Sequence, residues 1–280
     1  MEGKKLVFTM YAESQIHAGK GMDVGVVDLP IQRERTTGFP IIQGIKGSIR
    51  ANFKFENNLE KEIFGSDPKD QEETSPGKLS FSEAKILLFP VRNPDKLFIW
   101  VTSPLALIRF FKALDKTDIV EKIQNKVFED GKIYSANNVP EGKVWVEELS
   151  FAHEELDWVE EVSECIATNI ASVEYIKDKM KKDIYIVSDK TFSQILEAFT
   201  EIMPRIRIDK TKGTVQEGAL WYEEYLPQDT VLFFVVRETI YAKNGLIEEL
   251  KKEIDNKTMT IGGKESVGKG LVSLKSVEVK

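Results

Sequence analysis

Cysteine and histidine are nearly missing from this 280-residue chain, which has one Cys, at position 165, and two His, at 17 and 153. A lone Cys165 excludes an internal disulfide and a cysteine-built metal cluster. His17 and His153 lie too far apart in sequence for a local histidine metal motif, and His153, followed by Glu154 and Glu155, reads as a surface residue. No uncharged apolar run reaches the roughly 18 residues that a transmembrane helix needs. The opening Met1-Glu-Gly-Lys-Lys leads into a strand-like segment without the apolar stretch and cleavage site of a secretory leader. These absences predict a cytoplasmic protein with no membrane partner. Positive charge is also scarce: 39 Lys and Arg against 46 Asp and Glu give a net charge of −7. That balance argues against broad, non-specific nucleic-acid binding, while a locally basic surface stays open. No internal repeat or clear linker divides the chain, so residues 1–280 read as one domain.

Hydrophobic residues make up 41% and charged residues 30%, a globular composition and not a disordered one. Lys5–Tyr11 reads as a first strand. Residues 41–53 carry apolar side chains at 42, 45, 49 and 53, a helical spacing weakened at its start by Gly44 and Gly47. The polar stretch 56–78 reads as a mobile loop. Strands are expected over 79–91 and 97–102, and Ser103-Pro104 has the form of a helix start, a capping hydroxyl followed by proline. A further strand is expected over 144–149 and helix over much of 154–180. The clearest helix runs from Asp189 with apolar residues at 192, 195, 196, 199, 202 and 203, and Pro204 stops it. Thr230–Glu238 reads as a buried central strand, 245–254 as a short helix and 271–279 as a last strand. The alternation predicts an α+β fold with helices over a largely antiparallel sheet, and two split βαβ units of the ferredoxin-like, RRM-like kind fit the count.

Residues 12–40 form a long irregular stretch, and such a loop inside a compact domain needs a reason. It holds His17, Asp28, Arg33 and Arg35. Asp28 precedes Leu29-Pro30, and proline biases Leu29 toward an extended shape, which suits a carboxylate presented at a loop tip; capping a turn is the structural alternative. Lys46, Ser48 and Arg50 follow Gly44 at a helix start, where free N–H groups and a partial positive charge suit phosphate; ordinary exposed basic residues are the alternative. Gly263-Lys-Glu-Ser-Val-Gly-Lys269 matches most of a phosphate-binding P-loop, but Gly270 stands where Ser or Thr would hold magnesium, and too few residues follow to supply the helix. Nucleotide hydrolysis is therefore excluded. Trp221, Tyr222 and Tyr225 are candidates for base stacking, although aromatic residues in a strand more often belong to a core or interface.

Three islands together resemble the RAMP superfamily: Val27-Asp-Leu-Pro-Ile-Gln-Arg-Glu34 with Thr37-Gly-Phe-Pro40 and Gly44-Ile-Lys-Gly-Ser-Ile-Arg50; Ile208-Asp-Lys-Thr-Lys-Gly213 with Gly218-Ala-Leu-Trp-Tyr-Glu-Glu-Tyr-Leu-Pro227; and Ile261-Gly-Gly-Lys-Glu-Ser-Val-Gly-Lys-Gly-Leu271. The match is most similar to the RNA-cleaving backbone subunit of type III-B CRISPR (Cmr) effector complexes. That family usually has Ser-Leu-Lys-Gly where this chain has Gly44-Ile45-Lys46-Gly47, which keeps the lysine and loses a hydroxyl. The resemblance implies a modified ferredoxin-like core with long insertions and a protruding thumb hairpin over about 205–227. It implies guide (crRNA) binding, head-to-tail stacking of copies with other Cmr subunits, and cleavage of paired target RNA at regular intervals with a divalent metal ion, Mg or Mn. Asp28 is then the catalytic carboxylate and possible metal ligand, with His17, Glu223 and Tyr225 as weaker supporting candidates. The RNA contacts expected are Arg33, Arg35, Lys46, Ser48, Arg50, Gly262, Gly263, Lys264, Gly268, Lys269 and Gly270. A non-catalytic structural RAMP subunit and a stand-alone CRISPR-transcript processing nuclease are the alternatives; Asp28 before Pro30, with Gln32-Arg33, favours the cleaving subunit.

Overall fold

The structure, a computed structural model, describes residues 3–23, 25–66, 75–137, 139, 141–170, 173–208, 214–243 and 245–277. The chain begins with β1 (Lys5–Ala12), β2 (Ile41–Ile42), α1 (Ile45–Asn52), α2 (Asn57–Phe64), β3 (Leu79–Phe81) and β4 (Ala84–Asn93). It continues through β5 (Leu97–Thr102), α3 (Pro104–Ala113), α4 (Thr117–Gln124), β6 (Lys132–Ser135), β7 (Lys143–Val146), β8 (Leu149–Glu155), α5 (Trp158–Ile170), α6 (Glu174–Asp183), β9 (Ile184–Ile186), α7 (Asp189–Ala198), β10 (Glu201–Ile208) and β11 (Val215–Tyr225). It closes with β12 (Val231–Glu238), α8 (Leu246–Ile254), β13 (Thr258–Thr260) and β14 (Leu271–Val277).

Four strands lie side by side in the order β14-β1-β12-β4, and every neighbouring pair is antiparallel. Helix α1 connects β1 to β4, and α8 connects β12 to β14. Two βαβ units interleaved in this way make the ferredoxin-like core. Everything from β5 to β11 is an insertion between β4 and β12, and most of it extends the same sheet through β5-β9-β6-β8-β7. The pairs β5–β9 and β6–β8 are parallel, so the extended sheet is mixed.

Alternation along β1 shows why the sheet needs two helical layers. Leu6, Phe8 and Met10 join a core with Ile45 and Ile49 of α1 and Ile247 and Leu250 of α8. Val7 faces the opposite core, which holds Phe110 and Phe111 of α3 and Val162 and Ile166 of α5. A strand buried on both faces reads as a continuous apolar run, as β1 and β12 do. Each such large side chain contributes about 1.5–3 kcal/mol on burial. The second layer comes from the insertion, so helices cover both faces of the sheet in a three-layer sandwich.

Several local expectations change. Residues 57–64, expected as loop, form α2, whose Ile63 and Phe64 are buried; residues 67–74 lie outside the described residues. The helix from Asp189 ends at Ala198, not at Met203, because Glu201–Ile208 pairs with β11 instead. Ile202 is accordingly exposed. Residues 154–180 divide into the end of β8, α5 and α6. His153 is partly buried, its Nε2 2.9 Å from the Ser135 hydroxyl, and burial lowers its pKa. The Ser103 cap forms as expected, accepting from the Ala106 N–H.

Candidate functional site

Strands β10 and β11 stand apart as a two-stranded ribbon. Its register pairs Met203 with Glu223 and Arg205 with Trp221, so these four side chains share one face. Residues 209–213, at the turn, lie outside the described residues. The base of the ribbon is tied to the long loop after β1. Ile16 bridges Leu226, and His17 bridges Gly263. Further along, Leu29 runs parallel to Glu223: the Leu29 N–H donates to Tyr222 O at 3.1 Å, and the Glu224 N–H donates to Leu29 O at 3.1 Å. The irregular stretch is thus an ordered third lane along the ribbon edge, held by main-chain bonds to a partner almost two hundred residues away.

That lane carries Asp28. Its carboxylate is partly exposed, and Oδ2 accepts from the Tyr222 N–H at 2.7 Å. That bond orients the carboxylate at the ribbon edge. The Asp28 carbonyl also accepts from the Asp23 N–H at 3.0 Å, closing the loop tip.

Glu223 is 1% exposed, and its carboxylate is surrounded by donors. Lys264 Nζ lies at 2.6 Å, Trp221 Nε1 at 2.7 Å and Arg205 Nε at 3.1 Å, and the Tyr225 hydroxyl donates to it as well. Burial opposes ionisation here, but these four donors outweigh it and hold the carboxyl at about 2. Arg205 also reaches the Tyr225 oxygen at 3.0 Å. The phenol of buried Tyr225 is pushed up, first by burial and then by the carboxylate beside it. Lys269 sits 5.4 Å over the Tyr225 ring. Two cations of the glycine-rich loop thus converge on two side chains of β11.

The glycines of that loop have steric reasons. Gly262 has φ +81°, and a Cβ there would lie 2.4 Å from His17 O; at Gly270, with φ +80°, it would lie 2.2 Å from Ile261 O. Gly268 is also left-handed and caps the short 3₁₀ turn Glu265–Val267. The Gly263 N–H donates to His17 O at 2.8 Å. His17 itself is buried, with Nδ1 2.8 Å from Glu224 O. A carbonyl only accepts, so Nδ1 carries the proton.

The remaining candidates divide by direction. Arg33 points inward, donating to Gly38 O and Leu196 O at 3.0 Å each and to Glu224 Oε1 at 2.5 Å. Arg35 is exposed. Gly44, at φ 77°, begins α1 without a side-chain cap, leaving the helix's first N–H groups unclaimed by it. Lys46 and Ser48 are two residues apart near the start of α1 and point to different sides of it, and Arg50 pairs with Glu60 at 2.7 Å. Sequence reasoning missed Arg205 and Trp221 beside Glu223, and Glu224 on the opposite face of β11, as parts of the site. Only the β10–β11 register and the parallel lane bring them to it, and neither leaves a local signal.

A ferredoxin-like core with a glycine-rich loop against an inserted ribbon defines the class: the chain belongs to the RAMP superfamily, whose model matches residues 9–273. It is 38% identical to the CRISPR system Cmr endoribonuclease Cmr4 of Pyrococcus furiosus, over 99% of this chain and 97% of that one. The crystal structure of oligomeric Cmr4 from the same organism superposes with a TM-score of 0.76 at 31% identity, covering 99% of each chain. A chain in the cryo-EM structure of type III-B Cmr-beta bound to cognate target RNA shares the fold, with a TM-score of 0.77 at 22% identity over 98% of each chain.

Proposed function

We propose that this chain is a guide-RNA-binding backbone subunit of a Cmr-type ribonucleoprotein and an endoribonuclease acting on target RNA paired with the guide. The observation that carries the reading is the Asp28 carboxylate, held at the ribbon edge by the Tyr222 N–H at 2.7 Å, next to the Glu223 cluster. The name of the Pyrococcus furiosus relative, an endoribonuclease, and the target RNA bound in the Cmr-beta complex support it.

Attack by a 2′-hydroxyl on the adjacent phosphorus forms the new P–O bond and breaks the bond to the 5′-oxygen. The hydroxyl must lose a proton, the leaving oxygen must gain one, and phosphate charge must be neutralised. In this reading Asp28 accepts the first proton, and water supplies the one that the leaving oxygen takes up. Lys264 and Arg205, both paired with Glu223, bring positive charge to the same edge, while buried Tyr225 commits its hydroxyl to Glu223 and steadies the cluster. His17, buried with Nδ1 committed to a carbonyl, suits holding the loop better than exchanging protons with substrate.

Among the described residues no group of three or more His, Cys, Asp or Glu is arranged to hold a metal ion. A Mg or Mn ion at this site would therefore take Asp28 as its protein ligand and complete its shell with RNA phosphate and water, a pattern that Mg²⁺ accepts. When bound, it would supply neutralising charge at the scissile phosphate.

Lys46, Ser48 and the open start of α1, with Arg35 and Lys269, are the proposed contacts to the guide backbone, through phosphate and 2′-hydroxyl and not base edges. Copies would stack head to tail, a heterologous contact that grows a helical filament, with β10–β11 as the projecting thumb. The oligomeric relative supports this arrangement, and the Cmr relative supports a cytoplasmic location.

Asp28→Asn tests the reading in a reconstituted complex with guide RNA. Target cleavage should be lost while assembly, guide binding and target binding persist, and His17→Ala should have the smaller effect. Full cleavage by a well-assembled Asp28→Asn complex would move the chemistry to another residue or subunit.

A further inference from the structure

Glu224 follows the much-bonded Glu223, points to the opposite face of β11, and is only 6% exposed. Both its carboxylate oxygens are used. Oε1 accepts from Arg33 Nη2 at 2.5 Å and from the Thr200 hydroxyl at 2.8 Å. Oε2 accepts from the Ile31 N–H at 3.0 Å. Its main chain is equally engaged, since its N–H donates to Leu29 O at 3.1 Å and its carbonyl accepts from His17 Nδ1 at 2.8 Å. One residue therefore grips the chain on both sides of Pro30, by main chain at Leu29 and by side chain at Ile31. It also fixes the His17 ring.

We infer that Glu224 is a positioning residue for Asp28, registering the Leu29–Ile31 lane on β11 so that the carboxylate meets the scissile phosphate. This rests on the reading of Asp28 above. The main-chain bonds of the lane are available to any sequence, whereas the bond to the Ile31 N–H needs this side chain. Proline at position 30 has no N–H of its own, so Ile31 offers the first amide after Leu29 that can anchor the segment. Arg33 stays attached without Glu224, because Gly38 O and Leu196 O hold the same guanidinium. Loss of the carboxylate thus loosens the lane specifically, three residues from Asp28.

The test uses reconstituted complexes carrying Glu224→Gln, Glu224→Ala and, as a control in the same assembly, Asp28→Asn. Glu224→Gln keeps the shape but presents one acceptor oxygen where two are needed, and it guards against a misfolded alanine variant. Single-turnover cleavage at saturating target should fall about 10-fold in Glu224→Gln and about 100-fold in Glu224→Ala, the range a displacement near 1 Å produces. Target dissociation constants should stay within about twofold of wild type, because the lane contributes to orientation and not to affinity. Hydrogen exchange at the Ile31 amide should speed up in both variants. Wild-type cleavage rates in both Glu224 variants, beside an inactive Asp28→Asn control, overturn the positioning role alone. A loss of target binding that matches the loss of rate also overturns it. An active Asp28→Asn control overturns the reading beneath it.

Discussion

Glu223→Gln removes the negative centre of the ribbon cluster while preserving its shape. The wild-type carboxyl is held at about 2 against an ordinary 4.5, because the cations and donors around it outweigh the cost of burial. A depression of that size corresponds to about 3 kcal/mol of folded-state stabilisation. The group is 1% exposed, so solvent screening takes little from this figure, although Arg205 and Lys264 are each about one-third exposed and recover some hydration when it is lost. A loss of about 2–3 kcal/mol at pH 7 is therefore expected. The sign of the pH dependence follows from the depressed pKa. The stabilisation is complete above the unfolded value of 4.5 and disappears as pH falls through about 2. By pH 3 less than half should remain, and wild type should converge on Glu223→Gln, whose amide does not titrate. Urea unfolding of both proteins at pH 7 and pH 3 measures the gap directly. An equal gap at the two pH values, or none at pH 7, would show that charge on Glu223 does not hold the cluster together.

Two more outcomes rest on other parts of the molecule. Lys46→Ala should reduce the salt dependence of guide binding by about 0.7 in slope, one single-stranded phosphate contact, whereas Arg50→Ala should change it less, because Arg50 is already paired with Glu60; binding titrations across salt concentrations decide this, and a larger effect from Arg50 contradicts it. Gly270→Ala should destabilise the protein by at least about 1–3 kcal/mol, since residue 270 sits at φ +80° and its Cβ would meet Ile261 O at 2.2 Å; a melting temperature equal to wild type refutes the assignment of that turn.

Much of the ferredoxin-like core was legible because its signals are local. The apolar runs of β1 and β12, the Ser103-Pro104 cap and the periodicity of α7 act within a few residues of themselves. The same reasoning overran at Met203. Ile202 and Met203 continue the helical spacing, yet β11 offers their main chain a strand partner, and pairing decided the outcome. Helix α2 was missed for the opposite reason: Leu59, Ile63 and Phe64 are few apolar positions within a polar stretch, and their burial depends on packing beside α8 and β3.

The order of residues along the chain determined that Asp28 would precede a proline in a glycine-bearing loop, that β11 would alternate Tyr222 and Glu224 against Glu223 and Tyr225, and that the last glycine-rich turn would carry Lys264 and Lys269. Those are matters of covalent neighbourhood and backbone sterics. The meeting of these three segments was decided by tertiary structure alone. Leu29 lies beside the main chain of Glu223, and Lys264 reaches the Glu223 carboxylate from 41 positions away. Hydrogen-bond partners for an irregular main chain, and the low exposure that gives Glu223 its depressed pKa, arise only after β1, β11 and the 262–270 turn have been packed against one another. Burial and long-range register are properties of the packed chain, and no window of the sequence contains them.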